Sequence, residues 1–436
     1  MRIPHRLRPP ALAAIAVVAL SACAGPGEPT TPAASPDATM QAASAPEVAN
    51  ARLGITYDGG VMIVEEESMK HLADLPLDGF LRLNAAGDKR HLLVSTGEGF
   101  HVLDTGVEVR GHDDHFHLYG HEPKLTETVF PAPKPGHAVV HAGRLALFSD
   151  GAGTIQVLDP HEITKGPEAA SETVLEPHHG IAIPVQGGMI VSLPDRSGVN
   201  VLDENGAVLA TTTECPGLHG EAAAREAVSV GCNDGTLVIR GTEITKVPAP
   251  DAYGRLGNQA GSPVSDYVLA DYKVDKEATL ERPTRVALID TTADSLRLVE
   301  LPASYSFRSL GRGPNGEALV LTTDGNLAVI DPEQATITES IKVTEPWEES
   351  ETWQHPRPAL RVVGNIAYVT EPGSSQLHAV HLPSAKAVDS VTLPHVPNEI
   401  QDVGLADAHG DEADGDHDGH DHGDDADGDH EGHDHE

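Results

Sequence analysis

The residues best suited to chemistry form one short stretch, Gly111–His121, which reads GHDDHFHLYGH. It contains four imidazoles, those of His112, His115, His117 and His121. In an extended backbone, His115 and His117 project from the same face about 6–7 Å apart, so both can reach one metal ion. Imidazole together with carboxylate is a ligand set that suits zinc, and also copper or nickel. The stretch therefore predicts a metal-binding loop, with a solvated polar loop as the alternative.

The N-terminal residues indicate export. A basic segment precedes an apolar stretch, residues 11–20, that is too short to span a bilayer. It ends in Leu20-Ser-Ala-Cys23, which resembles a bacterial lipobox. We expect residues 1–22 to be a signal peptide, Cys23 to carry lipid, and residues 23–50 to be a flexible tether rich in Ala, Pro, Ser and Thr. The mature protein would then be held outside the cell membrane by acyl chains. An ordinary secretory signal with an accidental cysteine is the alternative.

Cysteine content and charge restrict the compartment and the partners. If Cys23 is lipidated, Cys215 and Cys232 remain. This predicts one disulfide in an oxidising compartment, with free thiols or metal thiolates as the alternative. The formal net charge is −38, which argues against nucleic acid and anionic lipid as partners and favours cations. No later segment is apolar enough to be a transmembrane helix. We therefore expect a monomer that meets the membrane only through its lipid.

The body of the chain, residues 51–406, reads as repeated short strands. Runs of four to eight alternating or apolar residues are separated by Gly, Asp-Gly, Asn-Gly and Pro, which predicts an all-β fold. A unit of strands ending near Asp-Gly and then in Leu-Asp or Ile-Asp recurs, as in residues 144–159 and 318–331. The first strands of successive units begin near Phe80, His137, His179, His219, Leu256, Phe307 and His355. A period of about 40–50 residues made only of strands is typical of β-propeller blades.

The two ends of the body complement each other. Residues 52–58 and 61–64 read as inner strands of a unit that lacks its first strand, and residues 399–405 read as a lone strand. Pairing between them would close the ring and leave no long unpaired edge. We therefore predict about eight blades, with seven as the alternative, closed by strands from both ends of the chain.

Four histidines occupy equivalent places in this repeat. The first strand of each propeller blade lines the central channel, and His137, His179, His219 and His355 each stand near the start of one. Residues far apart in sequence would then meet at one mouth of the channel. We expect these histidines to bind metal there, the alternative being that each caps a turn. The loop at residues 112–121 is interpreted as the connection between the first two complete units, able to fold over the same mouth.

Several of these motifs resemble the AztD-type zinc metallochaperones, which are bacterial propellers outside the cytoplasm. The likeness rests on His112-Asp-Asp-His-Phe-His117, Pro135-Gly-His-Ala, His178-His-Gly-Ile181, Cys215-Pro-Gly-Leu-His-Gly-Glu-Ala222 and His355-Pro-Arg-Pro358. The resemblance implies that the protein is not an enzyme and that it holds Zn²⁺ at more than one site. It also implies delivery of zinc to the solute-binding protein of a zinc ABC transporter. The lipobox and the acidic tail depart from the family pattern and would anchor this member at the cell surface.

The C-terminal tail, residues 407–436, alternates His, Asp and Gly and holds 14 acidic and no basic residues. Such a composition predicts disorder. Loose zinc binding is expected from its histidines, His409, His417, His420, His422, His430, His433 and His435. A tail that only solubilises the protein is the alternative.

Two other functions fit the same residues. A metal-dependent propeller enzyme would use the ion to activate water. A surface zinc buffer, or a propeller that only docks other proteins, would need no directed transfer. An open coordination position and the presence or absence of turnover with metal bound distinguish these alternatives.

Overall fold

Short strands joined by tight turns account for nearly all of the structure, a computed structural model that describes residues 47–48, 51–112 and 115–404. The predicted signal peptide, Cys23, most of the tether and the His/Asp-rich tail lie outside the described residues. The described part of the chain contains no helix long and apolar enough to cross a membrane.

The first third of the chain forms the strands of two blades and a hairpin. These strands are β1 (Glu47–Val48), β2 (Arg52–Tyr57), β3 (Gly60–Glu65), β4 (His71–Pro76), β5 (Arg82–Ala85), β6 (His91–Ser95), β7 (Gly99–Asp104), β8 (Val107–His112), β9 (His115–Gly120) and β10 (Lys124–Pro131).

The next strands form three blades in direct succession. They are β11 (Pro135–His141), β12 (Arg144–Ser149), β13 (Thr154–Leu158), β14 (Ser171–Val174), β15 (Ala182–Val185), β16 (Gly188–Ser192), β17 (Val199–Asp203), β18 (Val208–Thr212), β19 (Glu221–Ala223), β20 (Val228–Cys232), β21 (Asp234–Arg240), β22 (Glu243–Pro248) and β23 (Gly254–Arg255). A 3-10 segment, Pro160–Ala169, separates β13 from β14.

Three further blades and the closing strand complete the chain. They are built from β24 (Gln259–Ala260), β25 (Tyr267–Asp271), β26 (Arg285–Asp290), β27 (Ser295–Glu300), β28 (Tyr305–Arg312), β29 (Ala318–Thr322), β30 (Asn326–Asp331), β31 (Thr336–Lys342), β32 (Leu360–Val363), β33 (Ile366–Glu371), β34 (Gln376–His381), β35 (Lys386–Thr392) and β36 (Ile400–Asp402). A short 3-10 turn, Leu382–Ser384, precedes β35.

The strands form an eight-bladed propeller, as the repeat predicts. Blade 1 is β36-β2-β3-β4, blade 2 is β5-β6-β7-β10, and blades 3 to 8 are the successive groups of four from β11–β14 to β32–β35, with β23 added beside β21 in blade 5. The first strands of neighbouring blades contact one another, for example β11 with β15 and β32 with β36. They therefore form the inner ring around the channel.

The apolar core lies between adjacent blades. Leu319 and Leu321 of β29, for example, belong to one buried cluster with Ala367 and Val369 of β33. Both faces of a blade are covered in this way, so its middle strands are apolar on both sides instead of alternating. This burial explains why the middle strands read as continuous apolar runs in the sequence.

The ring closes as predicted, by pairing between strands from the two ends of the body. Leu53 and Ile55 of β2 pair with Asp402 and Ile400 of β36 in antiparallel register. The strand from the C-terminal end thus becomes the first strand of the blade that begins the chain. A closed ring has no exposed inner edge.

The strand directions define two faces of the ring. We call the face on which the first strand of each blade begins the upper face, and the opposite one the lower face. Because strands alternate in direction, third strands end on the lower face. This distinction decides which sequence-distant residues can meet.

The histidine-rich stretch does not connect two blades, which corrects the interpretation made from the sequence. The stretch belongs to the hairpin β8–β9, inserted between β7 and β10 of blade 2. The two-residue strand β1, counted with the flexible tether in the sequence, pairs with β9. The third strand β7 ends at the lower face, so the hairpin leaves the ring there. The expectation that this loop folds over the upper mouth is therefore wrong.

One buried carboxylate links three blades at the closure. Glu399 accepts hydrogen bonds from Arg82 Nε at 3.1 Å, Arg308 Nη2 at 2.9 Å and the Leu83 backbone N–H at 3.0 Å. The backbone N–H of Glu399 also donates to Thr56 Oγ1 at 2.9 Å. Burial lowers the pKa of Arg308 to about 10 against the opposing attraction of Glu399, so its guanidinium is still charged at neutral pH.

Replacing Glu399 should therefore destabilise the ring strongly. We expect Glu399→Gln to lower the free energy of unfolding by about 3 kcal/mol, because the buried charge of Arg308 loses its partner. Urea unfolding at neutral pH measures this loss. The control is Glu339→Gln on the exposed side of β31, which should change stability by less than about 0.5 kcal/mol. Equal stabilities of the two variants would contradict the role assigned to Glu399.

Candidate metal centre

Three of the four predicted channel histidines meet at the upper face. His137 lies at the beginning of β11, and His179 and His219 lie in the turns just before β15 and β19. Their ring centroids are 5.4 Å apart for His137 and His179, 5.9 Å for His137 and His219, and 5.1 Å for His179 and His219. One ligand nitrogen from each ring lies within 4.8 Å of the other two. Consecutive blades 3, 4 and 5 thus contribute one imidazole each.

A β-bulge directs His137 into this cluster. The pairing of β11 with β12 shifts register between Pro135 and Ala138, so Gly136 and His137 lie in the irregular part of the ladder. A bulge bends the strand locally and turns a side chain away from its regular alternation.

The Nδ1 atom of each imidazole in the cluster has an oxygen partner. His137 Nδ1 lies 3.0 Å from Glu221 Oε1, His179 Nδ1 lies 2.6 Å from Asp150 Oδ2, and His219 Nδ1 lies 2.6 Å from the Gly257 carbonyl oxygen. A carboxylate or carbonyl at Nδ1 holds the proton there and leaves the Nε2 lone pair free to bind a metal. The same arrangement fixes the orientation of each ring.

The two carboxylates have spare binding capacity beside the cluster. Among the described residues, Asp150 Oδ1 and Glu221 Oε2 are buried and accept no hydrogen bond. Two carboxylates next to three neutral imidazoles would balance the charge of a divalent cation. The sequence did not single out either carboxylate as part of the site. Glu221 appears there only within the motif that follows Cys215, and Asp150 belongs to one of the many Asp-Gly pairs that end strands of this chain.

Electrostatics separates His137 from His219. Burial lowers the pKa of His219 to about 4, and the neighbouring His137 adds to the effect. Burial acts in the same direction on His137, but the Glu221 carboxylate outweighs it and raises the pKa of His137. His219 is therefore neutral and ready to bind metal at any pH near neutrality.

A disulfide, a backbone hydrogen bond and two glycine turns restrain the backbone around His219. Cys215 is joined to Cys232 by a disulfide, the pairing expected from the cysteine content. The His219 N–H donates to the Gly231 carbonyl at 3.0 Å. Gly217 and Gly220 on either side of His219 have φ values of 64° and 74°. A β-carbon at Gly220 would also lie 2.2 Å from a backbone oxygen, so only glycine suits this turn.

The remaining predicted ligands lie elsewhere. His355 does not join the cluster, and its Nδ1 contacts Ser350 Oγ at 3.0 Å. His121 Nε2 contacts Glu108 at the base of the hairpin, at 2.7 Å. His112 and His115 are direct partners in the register of the hairpin, and His117 is paired with Arg110. The tail histidines lie outside the described residues.

Known proteins similar to this chain include a zinc chaperone. No family model matches the chain. The chain is 30% identical over 336 residues to the zinc chaperone AztD of Citrobacter koseri, covering 73% of this chain and 78% of that protein. The crystal structure of C. koseri AztD matches with a TM-score of 0.71 and 27% identity, covering 81% of this chain and 97% of that one. The structure of its apo form matches with a TM-score of 0.70. Dihydro-heme d1 dehydrogenase NirN, at 12% identity and a TM-score of 0.53, shares the fold alone.

Removing the disulfide should loosen the cluster as well as the fold. The double variant Cys215→Ser/Cys232→Ser frees a loop with a sequence separation of 17, which should lower the free energy of unfolding by about 3 kcal/mol. Zinc affinity, measured by chelator competition well below the unfolding temperature, should fall as well, because Cys232 directly follows the residue that holds the His219 backbone. Unchanged affinity in a destabilised variant would show that the disulfide does not position His219.

The pKa differences predict an order of protonation in the zinc-free protein. His137, with its raised pKa, should gain a proton before His219 as the pH falls, and His219 should follow only near pH 4. The stability that the His137–Glu221 pair provides is thus present below pH 6.5 and is lost as the pH rises through the folded-state pKa of His137. Imidazole ¹⁵N NMR titration, assigned with His137→Gln and His219→Gln, measures both values. Protonation of His219 before His137 would contradict the assigned surroundings.

Proposed function

Since this chain belongs to the family of the zinc chaperone AztD, we propose that it is itself a zinc metallochaperone. It binds Zn²⁺ through His137, His179 and His219 and passes the ion to the solute-binding protein of a zinc ABC transporter. The observation that supports this proposal most directly is the convergence of three imidazoles whose Nδ1 atoms are all occupied by oxygen partners.

Three protein ligands suit a cargo ion better than a structural one. Structural zinc sites have four protein ligands, whereas three leave one position of the tetrahedron open. An acceptor protein can place its own ligand in that position before any histidine of the donor leaves. The exchange then proceeds one bond at a time, and the ion is never released into water.

The exposure of the ligands suggests the order in which they leave. The His179 side chain is 41% exposed and the His137 side chain 20%. His179 is also held by the Asp150 side chain of the neighbouring blade 3, whereas His219 is held by the backbone carbonyl of Gly257. We therefore assign His179 as the first ligand to exchange and His137 and His219 as the last to hold the ion.

The two carboxylates give the cluster its preference for a divalent cation. With three neutral imidazoles, Asp150 and Glu221 supply two negative charges, so the loaded centre is close to neutral. They also increase the basicity of the histidines to which they are bonded, which strengthens coordination. Their replacement should weaken binding about 10–100-fold without removing a direct ligand.

The hairpin and the tail fit separate roles in zinc capture. His112, His115, His117 and His121 lie in or next to a hairpin on the lower face, so they are proposed as a second binding place and not as a cover for the first. The tail histidines would gather zinc loosely near the surface. His355 is not assigned to either centre.

Lipid attachment at Cys23 and the tether would bring donor and acceptor to the same membrane. Confinement raises the effective concentration for their encounter. The disulfide fits an oxidising compartment outside the cytoplasm. The mature protein is accordingly proposed to be a monomer at the cell surface, with no nucleic acid partner and no membrane contact besides its lipid.

Transfer is tested by comparing two zinc sources. The acceptor is loaded either by this protein or by a chelator buffered to the same free zinc concentration. Direct handover predicts faster loading from the protein than from the chelator. Equal rates would mean that zinc is only released into solution and that the protein is a buffer. Turnover of a substrate that requires bound zinc would favour the enzyme alternative.

Variants identify the ligands that take part in this transfer. His219→Gln should weaken tight zinc binding by on the order of 10²-fold or more, since it removes a direct ligand, and should abolish the rate advantage over the chelator. The matched control is His141→Gln, at the other end of β11, where the imidazole contacts the Pro184 carbonyl oxygen. This control should bind and transfer zinc as the natural protein does. Equal binding by both variants would exclude the three-histidine cluster as the donor site.

A further inference from the structure

Two of the three histidines in the metal centre contact a carboxylate through Nδ1, whereas His219 Nδ1 contacts the carbonyl oxygen of Gly257. We propose that Asp271 of blade 6 supplies the carboxylate for His219, acting through the single peptide group that joins Gly257 to Asn258. Asp271 is then a positioning residue of the metal centre, and its charge strengthens the binding of metal by His219. This inference rests on the proposed function, because it assigns a role within the zinc-binding centre.

One peptide group lies between the two side chains. Its carbonyl, that of Gly257, accepts a hydrogen bond from His219 Nδ1 at 2.6 Å. Its N–H, that of Asn258, donates to Asp271 Oδ1 at 3.0 Å. The C=O and N–H of a planar trans peptide point in opposite directions, so the same group can be bonded at both ends. His219 and Asp271 therefore contact opposite edges of one peptide.

The surroundings of Asp271 are those of an ionised carboxylate. Its side chain is 2% exposed. Oδ1 also accepts the Gly257 N–H at 2.5 Å, and Oδ2 accepts the Asn258 side-chain amide at 3.2 Å. The Lys273 ammonium lies 3.8 Å from Oδ2. Each of these partners is a donor or a cation, which is the environment that a buried negative charge requires.

The fold of blade 6 brings Asp271 to this peptide. Asn258 ends the turn before β24, and the Asp271 N–H donates to its carbonyl at 2.9 Å. The next residue, Tyr272, donates its backbone N–H to the buried Tyr305 hydroxyl of blade 7 at 3.0 Å. Since the second strand of a blade ends on the upper face, Asp271 at the end of β25 lies beside the turn that holds His219. Two neighbouring blades thus fix its position.

A carboxylate at one end of a peptide strengthens the hydrogen bond at the other end. Hydrogen bonds in a chain polarise one another, and a buried site of low dielectric increases the effect. The charge at the Asn258 N–H therefore makes the Gly257 oxygen a better acceptor. A stronger acceptor at Nδ1 raises the basicity of the imidazole that binds the metal. Lys273 offsets the added charge, so the loaded centre stays close to neutral.

The Nδ1 proton of His219 tests this connection in the zinc-free, full-length protein. Asp271→Asn keeps an oxygen acceptor for the two backbone N–H groups but removes the charge. The His219 Nδ1 proton should then resonate at a lower chemical shift than in the natural protein, because its hydrogen bond is weaker. The Nδ1 protons of His137 and His179 should not move. An unmoved His219 signal, or equal shifts in all three histidines, would overturn the proposal.

Zinc affinity, measured by chelator competition, provides the second readout. Asp271→Asn should weaken tight binding about tenfold, at the lower end of the range for outer-shell partners, since a peptide lies between charge and ligand. The matched control is Asp402→Asn in β36 of blade 1. Asp402 is also buried, accepts the Gly404 N–H at 2.7 Å and pairs with Arg361. This control should lose stability and still bind zinc as the natural protein does, and an equal loss of affinity in both variants would overturn the assignment.

The two readouts also separate this inference from the proposed function. The proton signal is measured without zinc and does not depend on an acceptor protein. If both readouts change as expected but handover is no faster than from the chelator, the chaperone function fails and the role of Asp271 stands. If handover is faster but Asp271→Asn matches the natural protein in both readouts, the chaperone function stands and this inference fails.

Discussion

The pairing of a C-terminal strand with an N-terminal one is the constraint on which the whole molecule depends. Without β36, blade 1 would present the open edge of β2 to the channel, and the inner ring would be interrupted between blades 8 and 2. Glu399, the residue before β36, spans this junction by binding groups from blades 2 and 7 as well as the Thr56 hydroxyl of β2. Closure therefore unites residues more than 300 positions apart.

The three-histidine cluster is a product of this closed geometry. In a ring whose blades repeat the same strand order, residues just before successive first strands meet near the axis. His137, His179 and His219 are about 40 residues apart in sequence, one blade apart, and yet their rings lie within 6 Å of one another. His355, in contrast, lies in an exposed turn before β32, where its Nδ1 contacts Ser350, and it does not join the other three.

The sequence was informative where the repeat controls position. The strand-only period predicts the propeller, its closure and four channel histidines, of which His137, His179 and His219 meet and His355 does not. It does not reveal the hairpin β8–β9, since an insertion after a third strand interrupts the period without altering the blade around it. Nor does it identify Asp150 or the Gly257 carbonyl as partners of the histidines, because such contacts depend on side-chain directions across neighbouring blades. The bulge at His137 has no recognisable pattern in the sequence either.

The disulfide beside His219 has a consequence for the order of events during maturation. A cysteine pair of this kind is reduced in the cytoplasm and becomes oxidised only after export. The turn that presents His219 is therefore completed outside the cytoplasm, when Cys215 becomes linked to Cys232. Under the proposed function, a precursor chain still inside the cell, which lacks this link, would compete less strongly for intracellular zinc. The protein would thus acquire its full affinity in the compartment where its cargo is collected.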